Sequence, residues 1–386
     1  MRKVITRTIL LLSLVSLFND ISSEMLYPVM PLFLSSIGFS TVLIGVLEGF
    51  AEAVAGLSKM YFGRMSDEAG RRMPFVRLGY LMSAISKPMM AVFTFPIWIF
   101  SSRTLDRLGK GVRTSARDAL LSDETLAEHK GTVFGFHRAL DTVGAAIGPA
   151  LTLIYLQFHP EDYKILFLIA FLPAIISVGF TFVIHEKKAE KKEPESTSFL
   201  QKFFYWKKSP VAFRQLMIGL LFFGLMNSSD VFLLLRAKQV THNDAAVLAS
   251  YILYNLVFAL FAFPLGRIAD KIGMKKMIVT GLLIFTFVYA GMSQAHSTVM
   301  IVGLLFLYGI YAAATEGITR ALVSNLVPNS ETASALGFYT GWNSICTLIA
   351  SSLTGWIWYA SSPETAFLLS AGGTLGVAIY LAIKKL

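Results

Sequence analysis

Two carboxylates stand one helical turn apart in an apolar part of the chain. The stretch FNDISSEMLYP at 18–28 follows the apolar run ILLLSLVSLF and places Asp20 and Glu24 where hydrocarbon-compatible side chains are expected. Neighbouring carboxylates in a low-dielectric site favour each other's protonation, so the pair can hold a proton in one state and release it in another. The alternatives are a permanent ion pair with Arg103 or Arg107, or recognition of a cationic substrate.

Further ionisable side chains lie within apolar segments of the first half of the chain. Each costs several kcal/mol in hydrocarbon unless it pairs or faces water. Helical spacing predicts ion pairs between Arg103 and Asp106, Asp106 and Lys110, and Arg138 and Asp141. His137 is four residues before Asp141 and is either a proton relay or a packed core histidine. The predicted proton-coupling site, or central cavity, consists of Asp20, Glu24, Glu48, Glu52, Arg103, Asp106, Arg107, His137, Arg138 and Asp141.

Basic residues also recur at positions 103, 107, 110, 113 and 117, which forms a cationic stripe along one predicted helix. An anionic substrate, or a carboxylate partner on the first helix, suits this stripe. Lys87 and Arg77 fall toward the ends of the third apolar segment, where long basic side chains are expected to reach the membrane surface.

The second half of the chain has fewer membrane charges and more aromatic and amide side chains. Such groups suit a bulky, partly apolar substrate that needs stacking and a few hydrogen bonds, although aromatics at helical spacing also build ordinary cores. The predicted substrate cavity consists of Asn227, Asp230, Tyr251, Tyr254, Asn255, Tyr308, Tyr311, Glu316, Tyr339, Trp342 and Asn343.

Composition identifies the elements that must position these groups. The chain has 386 residues, 55% hydrophobic and 15% charged, with a mean hydropathy of +0.62, whereas soluble domains carry about 25% charged residues. A membrane span needs roughly 20 apolar residues, and β-barrel alternation is absent, so an all-α membrane protein with twelve transmembrane helices is predicted. The apolar segments lie near 6–34, 41–63, 74–94, 97–118, 131–157, 164–184, 211–236, 244–266, 276–294, 298–322, 333–358 and 365–383.

The distribution of Lys and Arg predicts the orientation. With the N-terminus inside, nearly all loop Lys and Arg are cytoplasmic, so both termini are predicted to be cytoplasmic in a multi-pass protein of the inner (plasma) membrane. The net charge of +10 then reflects topology rather than nucleic-acid binding. The single Cys346 rules out an intramolecular disulfide and a CxxC metal site, and neither a metal nor a cofactor is predicted.

Two halves of the chain resemble each other. GRMSDEAGRR at 63–72 matches GRIADKIGMKK at 266–276, ALLSD at 119–123 matches ALVSN at 321–325, and GFHRALD at 135–141 matches GFYTGWN at 337–343. A weaker echo, SSE at 22–24 and SSD at 228–230, aligns Glu24 with Asp230. We predict six-helix bundles over 1–184 and 211–386, a linker with an interfacial segment over 185–210, and a central site between parallel repeats.

The repeated loop sequence resembles the signature of the major facilitator superfamily (MFS). The resemblance implies the MFS fold, alternating access without nucleotide hydrolysis, and a cytoplasmic gate motif. GAAIGPALT at 144–152 resembles the fifth-helix pattern of the antiporter branch through Gly144, Gly148 and Pro149, without its later glycine pair. The gate motif comprises Gly63, Asp67, Gly70, Arg71 and Arg72 in the first copy, and Gly266, Asp270, Gly273 and Lys275 in the second.

The signature also has a physical interpretation. Gly63 and Gly70 let a helix end and turn back, while Asp67 can face a helix N-terminus or an arginine across the inner gate. Arg71 and Arg72 are expected to anchor at phosphate headgroups. The alternative is that the motif fixes topology and has no gating role.

Three functions are compatible with these residues. The first is proton-coupled export of small amphiphilic compounds; the second is proton-coupled uptake of a metal chelate, siderophore or other small solute; the third is a non-transporting membrane scaffold or sensor. No Gly-x-Ser-x-Gly, Walker or zinc-protease motif occurs, so an enzyme is not expected. The predicted partners are a small-molecule substrate, protons and the lipid bilayer, with a monomeric chain and Glu24 as the better proton switch.

Overall fold

The computed structural model describes residues 4–27, 29–30, 33–34, 37–39, 41–159, 162–186, 205–242 and 244–384; within these ranges the side chains of 41–46, 48–49, 231, 244–245 and 248 are not described. Every regular element in these ranges is a helix, as predicted. The first half contains α1 (Arg7–Leu26), α2 (Thr41–Ala69), α3 (Met73–Val92), α4 (Pro96–Asp123), α5 (Lys130–Phe158) and α6 (Tyr163–Val183). The second half contains α7 (Val211–Met226), α8 (Val231–Thr241), α9 (Asp244–Ile272), α10 (Met274–Ser293), α11 (Thr298–Asn325), α12 (Thr332–Ala360) and α13 (Pro363–Ile383).

Each predicted apolar segment contains a helix, but the seventh is divided. The apolar pattern over 211–236 predicts one span, whereas α7 ends at Met226 and α8 starts at Val231. Among the described residues, seven helices are long and apolar enough to cross a membrane. The protein is therefore a multi-pass membrane protein, and the count of twelve spans and the orientation of the termini stay predictions.

Polar residues begin several helices at the expected positions. Thr6 accepts a hydrogen bond from the backbone N–H of Ile9 at 3.2 Å, and Asp162 accepts one from Ile165 at 3.3 Å. Such side chains satisfy N–H groups that have no partner within the helix. Large apolar side chains cover the outer helix faces, including Phe182 at 64% exposure, which suits contact with lipid.

The chain forms two compact units, each described by itself. Unit 1 contains Met1–Glu124, Leu140–Lys207 and Pro328–Gly341, and unit 2 contains Thr125–Ala139, Lys208–Val327 and Trp342–Leu386. The start of α5 therefore packs in unit 2, and the start of α12 packs in unit 1. Over most of their length the units follow the predicted halves, whose boundaries at 184 and 211 stay predictions.

Both described ends of the linker contact unit 1. The carboxylate of Glu186 accepts hydrogen bonds from the backbone N–H groups of Arg72 and Met73, at the start of α3. Tyr205 donates a hydrogen bond to Glu331 at 2.7 Å. Burial, with this hydrogen bond, raises the pKa of Tyr205 well above its usual value, so the hydroxyl stays a donor. The predicted interfacial segment falls mostly on residues 187–204, outside the described residues.

Candidate functional site

A close contact between α1 and α5 fixes the position of the two carboxylates. A Cβ atom added to Gly144 would lie 2.6 Å from the carbonyl oxygen of Leu17, and one added to Gly148 would lie 2.7 Å from that of Ile21. The absence of these side chains brings the α5 backbone against the helical turns that carry Asp20 and Glu24. The predicted antiporter-like glycines thus pack against the carboxylate helix, while Pro149 lies within α5.

Asp20 and Glu24 are half-buried on α1, and neither forms an ion pair with another described residue. Asp20 accepts a hydrogen bond from the side chain of Asn19 at 3.3 Å. The permanent ion pairs with Arg103 or Arg107 are therefore absent from the described residues. Both carboxylates nevertheless lie near basic groups on α4, which are Arg113 and Arg117 for Asp20, and Lys110, Arg107 and Arg103 for Glu24.

The arginines of α4 have other partners. Arg107 pairs with Glu52 of α2 at 3.1 Å, and the predicted pair between Arg103 and Asp106 is present at 3.6 Å. The predicted pair between Asp106 and Lys110 is wrong, because Lys110 forms no ion pair with the described part of the chain. The ion pair of Arg107 with Glu52 thus joins two helices, whereas the pair predicted within α4 between Asp106 and Lys110 does not form.

Lys87 provides the shortest contact to Asp106. Its Nζ lies 2.7 Å from Oδ1 of Asp106, and Lys87 is 1% exposed. The expectation that Lys87 reaches the membrane surface is wrong, since an inward-facing side chain on α3 meets a carboxylate on α4. The ion pair between α3 and α4 is therefore almost fully buried.

The end of the cationic stripe that contains Arg113 and Arg117 joins four helices. Arg117 contacts the carboxylate of Asp118 at 2.9 Å and donates a hydrogen bond to the hydroxyl of Ser16 at 2.8 Å. Ser16 in turn donates to Asp141 of α5. Arg113 donates to Ser83 at 2.8 Å and covers the ring of Tyr80. These contacts connect α1, α3, α4 and α5 within unit 1.

The other predicted members of this site are placed differently. Arg138, in unit 2, forms an ion pair with Glu316 of α11, and His137 is fully buried. The predicted contacts of Arg138 and His137 with Asp141 stay predictions. Glu48 lies on α2, but its side chain is outside the described residues. The described charged cluster of unit 1 comprises Asp20, Glu24, Glu52, Lys87, Arg103, Asp106, Arg107, Lys110, Arg113, Arg117, Asp118 and Asp141.

The first gate-motif carboxylate binds the start of α12. Asp67 accepts hydrogen bonds from the backbone N–H of Ala333 at 3.4 Å, and from the N–H and hydroxyl of Ser334 at 2.6 Å each. These N–H groups carry the positive end of the helix dipole. Asp67 also forms an ion pair with Arg72. The carboxylate therefore meets both predicted partner types, a helix N-terminus and an arginine.

The second carboxylate repeats this arrangement within unit 2. Asp270 accepts hydrogen bonds from the backbone N–H groups of Gly131 and Thr132 at 2.8 and 2.7 Å, and from the Thr132 hydroxyl at 2.5 Å. Thr132 and Ser334 occupy equivalent positions, three residues before the GF pairs at 135–136 and 337–338. Each repeat thus supplies a carboxylate to a helix start of the other repeat.

Glycines allow these contacts to form at backbone distance. A side chain on Gly63 would collide with the carbonyl oxygen of Ala333, and one on Gly266 with that of Gly131. Gly70 and Gly273 have φ values of 61° and 102°, where the chain turns after α2 and α9. The motif glycines therefore serve the turn and the helix contact, as their spacing predicts.

The basic residues of the two copies differ. Arg72 is 1% exposed and, besides Asp67, contacts Ser66 at 3.0 Å and Asp123 at 3.4 Å. Its predicted headgroup contact is therefore wrong, whereas Arg71 is exposed and can reach phosphates. The equivalent Lys275 instead donates hydrogen bonds to backbone carbonyls at the end of α13.

This difference predicts unequal effects of Asp67→Asn and Asp270→Asn. The first change leaves the buried Arg72 without its nearest carboxylate, so we expect the free energy of unfolding to fall by about 2 kcal/mol. The second weakens a helix cap and should cost about 1 kcal/mol. Unfolding of purified protein in mixed micelles measures both, with Glu128→Gln, at a position 72% exposed, as control. Equal losses for the two variants would contradict the role of Arg72.

A second candidate site surrounds Asp230 in unit 2. Its carboxylate accepts hydrogen bonds from the hydroxyls of Tyr308 at 2.7 Å and Tyr254 at 3.4 Å. The rings of Tyr308 and Tyr311 lie 5.1 Å apart, and Tyr251 packs on Tyr254 at 5.8 Å. The structure therefore brings the predicted aromatic group together around one carboxylate.

Other predicted cavity residues have more local contacts. Asn255 donates to the carbonyl of Tyr251 on its own helix at 3.0 Å, and Asn227 donates to the hydroxyl of Tyr311 at 3.4 Å. Trp342 and Asn343 lie on the part of α12 that belongs to unit 2, whereas Tyr339 lies on the part that belongs to unit 1. The predicted grouping of Tyr339 with the other cavity residues therefore stays a prediction.

Sequence reasoning omitted several residues from the two sites. The sequence predicts a surface position for Lys87, which instead pairs with Asp106. It gives no sign that the hydroxyl groups of Thr132 and Ser334 bind the gate carboxylates, except that the internal repeat aligns the two residues. Among the described residues, no group of three or more His, Cys, Asp or Glu side chains is arranged to hold a metal ion.

The chain matches the family model of the Major Facilitator Superfamily over residues 12–254 and 238–385. An uncharacterized MFS-type transporter of Methanocaldococcus jannaschii is 31% identical over 370 residues, which covers 94% of this chain and 91% of the relative. A multi-drug resistance efflux pump PmrA homolog of Lactococcus lactis is 24% identical, covering 89% and 87% of the two chains.

Solved structures share the fold. FucP in its outward conformation superposes with a TM-score of 0.81 at 12% identity, with 100% of both chains covered. The human organic anion transporter MFSD10 (TETRAN) gives a TM-score of 0.80 at 14% identity, covering 97% of this chain and 99% of its own. At these identities the similarity concerns the fold alone.

Proposed function

The chain belongs to the major facilitator superfamily of transporters, and from this premise we propose that it couples movement of a small molecule across the plasma membrane to movement of protons. The observation that carries the proposal is the state of Asp20 and Glu24, which form no ion pair with a described residue although basic groups of α4 lie nearby. A carboxylate without a fixed partner can change its protonation during a transport cycle, whereas a permanently paired one cannot.

The proposed substrates are small amphiphilic compounds, and the proposed direction is export. Relatives with 21–24% identity are named multi-drug resistance efflux pumps or a multidrug resistance protein, and the antiporter-like glycines pack directly on the carboxylate helix. The aromatic group around Asp230 offers stacking surfaces together with hydroxyl groups, which suits such compounds.

The gate contacts support alternating access. Asp67 and Asp270 each hold a helix start that comes from the other repeat, so these contacts must break when the same side of the protein opens. We assign them to the closed state of the predicted cytoplasmic side. Hydrogen bonds to charged groups contribute about 1.5–3 kcal/mol each, which is enough to bias two states without locking one.

Uptake of an anionic solute, such as a metal chelate or siderophore, is favoured by a separate observation. Lys110 forms no ion pair with a described residue, yet its charge acts on Glu24. An anion bound to Lys110 would favour the protonated form of Glu24, so anion and proton would bind together and move in the same direction. A cationic substrate would compete with the proton and give exchange.

Reconstituted protein separates these functions. We expect an inwardly directed proton gradient to drive flux of at least one member of a panel of drugs, sugars and iron chelates, and a protonophore to abolish the effect. Simultaneous recording of internal pH gives the sign of coupling: opposite movement of proton and substrate supports export, and joint movement supports uptake. Flux that ignores the gradient would refute proton coupling, and no flux for any compound would favour a scaffold or sensor.

A further inference from the structure

Asp230 lies at a break between two helices in an apolar region of unit 2. Residues 227–230 separate α7 from α8, and within the described chain no basic side chain forms an ion pair with Asp230. The nearby charges do not neutralise it: Glu316 of α11 is acidic and pairs with Arg138, while Arg236 of α8 pairs with Glu364 at 2.9 Å. A membrane carboxylate in this position calls for a positively charged ligand.

Buried oxygen atoms lie close to this carboxylate. Ser228 Oγ and Tyr289 Oη are buried, at 3% and 1% exposure, and neither makes a hydrogen bond of good geometry with a described residue, although the two side chains lie within reach of each other. The Tyr289 hydroxyl lies near Asp230, Ser228 and Tyr308. The amide oxygen of Asn227, at the end of α7, also has no partner there. A proton on Asp230 would occupy one oxygen and leave the others unsatisfied, whereas a metal cation coordinates several.

The break between α7 and α8 also favours a bound cation electrostatically. The last turn of α7 ends with carbonyl groups that have no partner within the helix and carry the negative end of its dipole. Half-helix ends of this kind, together with unwound backbone, coordinate coupling cations in other membrane transporters. The aromatic rings of Tyr254 and Tyr308, whose hydroxyls contact Asp230, lie 5.2 Å apart.

We propose that residues 227–230, with Tyr289 and Tyr308, form a binding site for Na⁺ in which Asp230 is the charged ligand. One carboxylate matches one positive charge, while a divalent ion is held by several carboxylates. The site consists of hard oxygen ligands, which excludes a preference for soft metals. It lies in unit 2 and does not depend on proton coupling by Asp20 and Glu24.

Sodium binding can be measured on the purified full-length protein without substrate. We expect NaCl, compared with KCl and choline chloride at equal ionic strength, to raise the melting temperature and to displace bound ²²Na⁺ saturably. Asp230→Asn should abolish both effects. Ser228→Ala and Tyr289→Phe should each weaken Na⁺ binding by about tenfold. Tyr380→Phe, which removes a hydroxyl that donates to Gln215 on α7, is the matched control.

Three outcomes would overturn the proposal. Wild-type protein that responds equally to Na⁺, K⁺ and choline has no sodium site, and stabilisation by acid alone, lost in Asp230→Asn, would make Asp230 a proton site instead. If Asp230→Asn fails to fold, the decision rests on Ser228→Ala and Tyr289→Phe: unchanged ²²Na⁺ affinity in both variants contradicts the site.

Discussion

Lys87→Met should lower the free energy of unfolding by about 3–5 kcal/mol, because it leaves the buried carboxylate of Asp106 without its nearest cation. The Nζ–Oδ1 distance of 2.7 Å and the 1% exposure of Lys87 place this ion pair among buried rather than surface pairs. Arg103, at 3.6 Å, compensates only in part. Methionine preserves most of the volume, so the loss reports on charge rather than on packing.

A double-mutant cycle separates the charge effect from other causes. Asp106→Asn in the Lys87→Met background should recover part of the lost stability, since the uncompensated charge is then removed. Lys164→Met, at an exposed position on α6, is the control and should change the unfolding free energy by less than about 0.5 kcal/mol. Additive losses from the two substitutions, or a loss below 1 kcal/mol for Lys87→Met, would show that the pair is not structural.

Sequence reasoning could place the helices because hydrophobic periodicity and length are local properties. It could also anticipate that Asp67 meets a helix N-terminus, since the motif is repeated and carboxylates suit such positions. The sequence does not indicate which helix Asp67 meets, because its partner Ser334, at the start of α12, is 267 positions away in the chain. The repeat contained that information: Thr132 and Ser334 align, and the carboxylates align with them.

Ion pairs were harder to predict than helices. Spacing reveals pairs within one helix, and Arg103 with Asp106 follows that rule. The pairs Lys87–Asp106 and Arg107–Glu52 join different helices, and they depend on the rotation of each helix about its axis. Where every face of a helix is apolar enough for lipid, periodicity determines that rotation poorly. The surface position expected for Lys87 failed for this reason.

The interruption of the seventh apolar segment was also missed. Residues 211–226 and 231–236 read as one hydrophobic run, and the polar residues between them, NSSD, fit within a tolerated span. The internal echo aligns Asp230 with Glu24, yet Glu24 lies inside the continuous helix α1, whereas Asp230 follows the end of α7. Asp230 and Glu24 are therefore equivalent in the sequence but differ in backbone geometry. We expect the two carboxylates to bind different ligands.

Glu24→Gln should reduce pH-driven transport to the level measured without a proton gradient while substrate exchange across the membrane continues. Glutamine resembles the protonated carboxyl group, so the transporter can still alternate with substrate bound, but it no longer carries a proton. Asp20→Asn should have a smaller effect, because Asp20 already accepts a hydrogen bond from the side chain of Asn19 at 3.3 Å. Loss of gradient-driven flux with retained exchange is the signature of a coupling residue.

A purely structural role of Glu24 predicts a different pattern of results. If Glu24 only stabilised the first bundle, Glu24→Gln would lower the melting temperature and reduce exchange and gradient-driven flux together. Glu128→Gln, the same change in a carboxylate that is 72% exposed in the connection between α4 and α5, should leave all three measurements unchanged. Full pH-driven flux in both Asp20→Asn and Glu24→Gln would refute coupling through α1, because no other charged group on that helix could then carry the proton.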